Sequence, residues 1–122
     1  MDIINYNTTP SIDHNMLKQL NNMVGHNTTV LLIQQFLTYA LQQLTALQQS
    51  LAIGDAETLR HQAHQFRGES LQMGANQLGA ICERLETLAQ QGQLDAAPTN
   101  LAKLKIELSR VQAAFTQVSR YD

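Results

Sequence analysis

The chain has 122 residues, 43% of them hydrophobic and 15% charged, with three Tyr, three Phe and no Trp. That is the size and make-up of one compact domain with an aliphatic core, and it excludes both a disordered polypeptide and a catalytic domain joined to a regulatory one. Eight Lys and Arg against ten Asp and Glu give a net charge of -2, which offers no basic surface to nucleic acid or to an anionic membrane.

In chain order, residues 1–10 read as a polar tail and residues 11–122 as a helical domain. A first helix is expected over about 11–23, with Ser11 as N-cap; Ile12, Met16, Leu17, Leu20 and Met23 or Val24 form its stripe, and Gly25 closes it. A long second helix begins with Asn27 or Thr28 as cap. It carries Val30, Leu31, Ile33, Phe36, Leu37, Ala40, Leu41, Leu44, Leu47 and Leu51 at helical spacing until Gly54 stops it. Asp55 is a good N-cap for a third helix that ends near Gly74, a fourth runs from about Ala75 to Gln91, and Gly92 follows it. Pro98 suits the first turn of a fifth helix, along which Leu101, Leu104, Ile106, Leu108, Val111, Ala114, Phe115 and Val118 recur at helical spacing. Short connections make successive helices antiparallel neighbours, and amphipathic helices hide their stripes only against one another. The expected fold is all-α: an antiparallel up-down four-helix bundle with a short additional N-terminal helix.

No apolar run is long enough to span a bilayer, and the first residues lack the basic-then-apolar order of a signal peptide, so a cytoplasmic location is expected. The single cysteine, Cys82, has no internal disulfide partner and reads as a small core residue, in keeping with a reducing compartment. Phosphate loops, Glu-x-x-His pairs and Ser/His/Asp sets are absent from the sequence, so common enzyme signatures are missing.

Two of the four histidines, His61 and His64, fall inside the third helix. With Leu59, Ala63, Phe66, Ser70 and Met73 turned inward, His64 lies roughly 140° from Leu59, Arg67 about 80°, Arg60 about 100°, Leu71 about 120° and Gly68 about 180°. His64 therefore shares an outer face with two arginines and a residue that has no side chain. An exposed imidazole is a nitrogen nucleophile at neutral pH, and a cation one turn away can hold a phosphoryl group's oxygens as charge develops on them. A mid-helix glycine costs about 0.5–1 kcal/mol relative to alanine, and close approach by another protein is the compensation Gly68 suggests.

This stretch resembles the histidine-containing phosphotransfer (HPt) domain. The family pattern runs His, any residue, apolar, Lys or Arg, Gly, small, Ser or Ala, then apolar-Gly-Ala, and then Leu-x-x-x-Cys-x-x-Leu-Glu. His64, Phe66, Arg67, Gly68, Ser70, Met73, Gly74, Ala75, Leu78, Cys82, Leu85 and Glu86 fall at matching places, and Phe36 sits where the family's second helix carries an aromatic. The resemblance implies that His64 is the phospho-acceptor, that Arg67 stands where members often carry a phosphate-neutralising lysine, and that Gly68 keeps the docking face open. Glu86 corresponds to a polar position that often hydrogen-bonds the imidazole. Arg60, His61, Gly68 and Leu71 are the expected partner-binding residues. The implied function is that of a shuttle in a two-component multistep phosphorelay, reversibly taking a phosphoryl group on His64 from a receiver-domain aspartate and passing it to another. The implied partners are response-regulator receiver domains and a hybrid sensor histidine kinase, the protein itself being a monomer without cofactor and the Mg²⁺ lying on the receiver. Nothing in the sequence supplies an ATP site, so no kinase activity is implied.

The sequence departs from the pattern twice. Arg67 in place of lysine keeps the charge but presents a planar fork, and Glu69 replaces the small residue that commonly follows the glycine. Glu69 either points at the phosphate or pairs with Arg60 or another basic group. A metal site built on His61 and His64, with Glu57 as a third ligand, is disfavoured because no compact ligand cluster supports it. The alternative function is a helical protein-interaction module without phosphotransfer.

Overall fold

The computed structural model describes residues 10–121, so the expected polar tail falls, apart from Pro10, outside the described residues. Five α-helices follow one another: α1 His14–Val24, α2 His26–Ala52, α3 Ala56–Gln72, α4 Asn76–Gln90 and α5 Ala97–Tyr121, with a 3₁₀ turn at Leu94–Ala96 before α5. α2 packs on α3 and α5, and α4 packs on α3 and α5, which closes a four-membered ring; α1 lies against α2 outside it. This is the four-helix bundle with a short extra N-terminal helix that the periodicity predicts.

Two of the expected helix starts move. Asp13, not Ser11, caps α1: its carboxylate accepts the Met16 N–H at 3.1 Å, while Ser11 is buried in the bend that leads into the helix. α2 begins at His26, ahead of Asn27 and Thr28, and has no side-chain cap bond. Gly25, at φ 86°, ends α1 and starts α2 in one residue, a left-handed backbone that favours glycine. Asp55 caps α3 as expected. It accepts from the Thr58 N–H at 3.1 Å and the Thr58 hydroxyl at 2.7 Å, and these bonds hold its carboxyl below the usual carboxylate range.

α3 presents Leu59, Ala63, Phe66 and Ser70 inward, all fully buried, with Met73 half-buried at its end. The Phe66 ring meets Tyr39 of α2 edge-on at 6.0 Å, and Phe36 meets Phe115 of α5 the same way at 6.1 Å. Truncation of a buried Phe costs about 3–5 kcal/mol, so Phe66 alone pins the rotation of α3 firmly. Buried polar groups tie the helices together: Ser50 of α2 donates to Gln62 of α3 at 2.8 Å, and the Asn100 amide of α5 donates to the Ile81 carbonyl of α4 at 3.0 Å.

Several apolar residues assigned to stripes by spacing face solvent. Met23, Val24, Leu31, Leu41 and Ile106 are exposed. In α5 the buried line is Leu104, Leu108, Val111 and Phe115, and Ile106 lies about 200° round from Leu104. The buried flank position goes instead to Glu107, whose carboxylate accepts from Arg110 at 2.8 Å.

The turn between α3 and α4 is tied to the lead-in of α1. The Asp13 N–H donates to the Gly74 carbonyl at 2.8 Å. A Cβ on Gly74 would meet the Met16 methyl at 2.9 Å, and the residue sits at φ 74°, so both space and backbone call for glycine there. Among the described residues no helix is long and apolar enough to cross a membrane.

Candidate functional site

The rotation of α3 decides which of its side chains reach water. His64 leaves the helix on the side away from Phe66 and its side chain is 64% exposed. Its Nδ1 lies 2.8 Å from Glu86 Oε2 on α4. A carboxylate only accepts, so Nδ1 carries the proton and donates, leaving the lone pair on Nε2. Nε2 has no hydrogen-bond partner among the described residues.

Glu86 is the hub of the site. Its side chain is 16% exposed, and its second oxygen, Oε1, lies 3.7 Å from the Arg67 guanidinium. Leu85, Cys82 and Leu78 are fully buried on the neighbouring face of α4, and that packing sets the register that swings Glu86 toward α3. One carboxylate thus holds an imidazole and a guanidinium from successive turns of the facing helix. The resemblance gives Arg67 the place of a phosphate-neutralising lysine. Its contact with Glu86 means that the cation is already placed beside the imidazole, at a distance where attraction outweighs hydrogen-bond geometry.

Gly68 is open: apart from its own stretch of helix, nothing lies within 4 Å of where a Cβ would sit. Leu71 is 42% exposed and lies over Gly79 of α4, where a Cβ would come within 2.8 Å of the leucine methyl. Gly79, which spacing arguments pass over, therefore lets Leu71 settle between α3 and α4. Arg60 and His61 form a separate group one turn earlier. Arg60 donates to Glu57 at 2.8 Å, His61 Nε2 lies 3.1 Å from the same oxygen, and Arg60 approaches His61 Nε2 at 3.3 Å. Arg60 draws the Glu57 carboxyl below its ordinary range. His61 and His64 thus turn to different carboxylates, and among the described residues no three His, Cys, Asp or Glu side chains converge as a metal site.

Glu69 does not pair with Arg60, whose guanidinium is taken by Glu57. It lies on the α2 side of α3, close enough to Tyr39 that its charge, after burial, helps to push the Tyr39 phenol above its ordinary value. It is about 140° round the helix from His64. Cys82 is fully buried, and burial pushes its thiol up to about 12, which makes it a poor nucleophile.

No curated protein matches the chain. Among solved structures, histidine-containing phosphotransfer protein B from Pseudomonas aeruginosa PAO1 is 33% identical, with a TM-score of 0.87 over 94% of this chain and 100% of that chain. The HPT domain of a sensor hybrid histidine kinase from Shewanella has the same fold, with a TM-score of 0.71 and 19% identity over 88% of this chain and 92% of that chain. Residues 31–114, from the first turns of α2 into the last third of α5, match the Hpt domain. With the motif spacing around His64 and the four-helix ring in place, the chain belongs to the Hpt domain family.

Proposed function

We propose that this protein carries a phosphoryl group on His64 Nε2 between receiver domains of a multistep phosphorelay. The observation that carries the reading is the 2.8 Å contact from His64 Nδ1 to Glu86 across two packed helices. It holds one tautomer of an exposed ring and aims the free lone pair away from the bundle. Membership of the Hpt domain family supplies the reaction class, histidine phosphotransfer.

In the forward step a receiver domain bearing an aspartyl phosphate docks over Gly68. The Nε2 lone pair attacks phosphorus in line; the N–P bond forms, the bond from phosphorus to the aspartyl oxygen breaks, and the aspartate leaves as carboxylate. The ring keeps its Nδ1 proton and becomes positively charged, and Glu86 opposes that charge from 2.8 Å. Arg67 stands one turn away to meet the phosphoryl oxygens. Donor and product are both energy-rich phosphates, so the step runs in either direction, and catalysis rests on positioning and charge compensation. Mg²⁺ belongs to the receiver in this scheme. Arg60, His61, Gly68 and Leu71 lie on or beside the surface the receiver covers. The protein acts as a monomer in the cytoplasm: its exposed large apolar side chains are distributed over α1, α2, α3 and α5 and the turn before α3, a scatter that fits a solvated monomer. A hybrid sensor kinase is a second source of phosphoryl groups, through its own receiver.

The test is incubation with a receiver domain phosphorylated by a small phosphodonor, followed by assay for acid-labile, base-stable phosphate. Wild type is expected to become labelled and His64→Ala to remain unlabelled with its helical content intact. Labelling of His64→Ala, or none of wild type by any receiver of the host, overturns the reading and leaves a helical interaction module.

A further inference from the structure

Glu69 stands next to the docking residue Gly68 on α3, and the transfer chemistry leaves it without a task. It occupies the position directly after Gly68, where the HPt pattern has a small residue, and it is exposed. Charge on this side of the bundle is sparse. α2, over 27 residues, contains no Asp, Glu, Lys or Arg. On α3, Glu57 is opposed by Arg60, and Arg67 by Glu86. Glu69 has no ion pair or side-chain hydrogen bond among the described residues.

Tyr39, which the Glu69 charge reaches, also lines a groove on the neighbouring helix. This shallow groove on α2 is lined by Leu31, Gln34, Gln35, Thr38, Tyr39 and Gln42. Leu31 is 52% exposed in it, and Tyr39 joins it to α3 through its edge contact with Phe66. The rim is apolar and amide-bearing, with neutral hydrogen-bonding groups that discriminate weakly between partners of similar shape. A single unopposed carboxylate at the edge of such a face dominates its local field, because the other charged side chains of α3 are each set against an opposite partner.

We infer that Glu69 is a specificity-determining residue, selecting receiver domains that place a Lys or Arg against the α2–α3 seam while Gly68 admits them to His64. The inference rests on the phosphotransfer reading above. Glu69 touches neither the imidazole nor the phosphoryl group; it acts on encounter and orientation, so it alters which receiver exchanges fastest and leaves the chemistry at His64 unchanged.

The experiment uses the full chain as wild type, Glu69→Gln and Glu69→Lys, with each of the host's receiver domains phosphorylated by phosphoramidate in the presence of Mg²⁺. Transfer rates are read in about 0.01 M and about 1 M salt, where the Debye length is about 30 Å and about 3 Å. For the receiver that wild type drains fastest, Glu69→Lys is expected to be slower by about tenfold in low salt, with Glu69→Gln between the two. The difference should shrink to within about twofold in high salt. Changing the matching basic residue of that receiver to Glu should restore the rate of Glu69→Lys. Equal rates in low salt, a faster Glu69→Lys, or a loss that persists undiminished in high salt overturns the inference, the last because it marks a steric effect. Failure of the phosphotransfer reading looks different, since wild type itself then takes up no phosphoryl group from any receiver.

Discussion

His61 and His64 stand one turn apart on the same helix, and their side chains are almost equally exposed, at 66% and 64%. Exposure does not distinguish them. Their carboxylate partners do. His61 turns to Glu57, four residues back on the same helix and itself 71% exposed; such a pair is loosely held and screened by water. His64 turns to Glu86 on another helix, a side chain 16% exposed and shared with Arg67. An acceptor anchored in a neighbouring helix holds the ring in one orientation and one tautomer, whereas a local exposed acceptor lets it rotate. In the proposed mechanism the nucleophilic histidine is therefore set apart by where its second nitrogen is tied, more than by how much of it meets solvent.

The sharpest way to break this contrast is to remove each imidazole in turn. His64→Ala should abolish phosphoryl uptake while His61→Ala retains it within about threefold, the usual scale for loss of an exposed contact outside the reacting centre. Uptake that follows His61 instead would reverse the assignment. Gly68→Gln should slow transfer by about 10²-fold by holding the receiver off Nε2, with thermal stability unchanged or slightly raised, because a Cβ there enters open space and a mid-helix glycine is removed. A comparable loss of stability would show that it acts through folding. Glu86→Gln should lower transfer by about tenfold, equal to about 1.4 kcal/mol, because an amide can turn either end toward Nδ1 and no longer opposes a charged ring. ¹⁵N shifts of His64 should show mixed tautomers in that variant, and a single unchanged tautomer would remove Glu86 from the mechanism. Arg67→Ala should have a smaller effect, a several-fold shorter lifetime of the phosphohistidine or slower transfer, measured by decay of the labelled protein.

A quieter check concerns Cys82 on the buried side of the same helix as Glu86. Its thiol is raised to about 12 from an ordinary 9.0 in the fold, so the native state keeps a proton that the unfolded chain gives up. Stability from this group is intact below about pH 9 and declines as pH rises from there toward 12. Alkylation by iodoacetamide near pH 8 should therefore be very slow in the native protein and ordinary after denaturation. Fast modification of the folded protein would mean that α4 opens far more readily than its packing implies.

Much was legible in the order of residues alone, for a local reason. Helix periodicity, the Asp55 cap and the stop at Gly74 depend on neighbours within one or two turns, and the outward placement of His64 and Gly68 follows from a helix whose inner stripe is clear. The motif from His64 to Glu86 is likewise written in spacing along the chain. What only the packed bundle decided lies between helices. Which carboxylate serves which histidine, whether Arg67 is already engaged, and that Glu69 faces Tyr39 instead of Arg60 all depend on the register of α4 and α2 against α3, and that register is set by Phe66, Leu78 and Leu85 filling shared space. Ile106 and Glu107 show the same limit: spacing along α5 admits either near the core, and the choice falls to the neighbouring helices. Contacts within a helix repeat a fixed geometry that residue order dictates, while contacts between helices depend on how side chains of many sizes fit together at once.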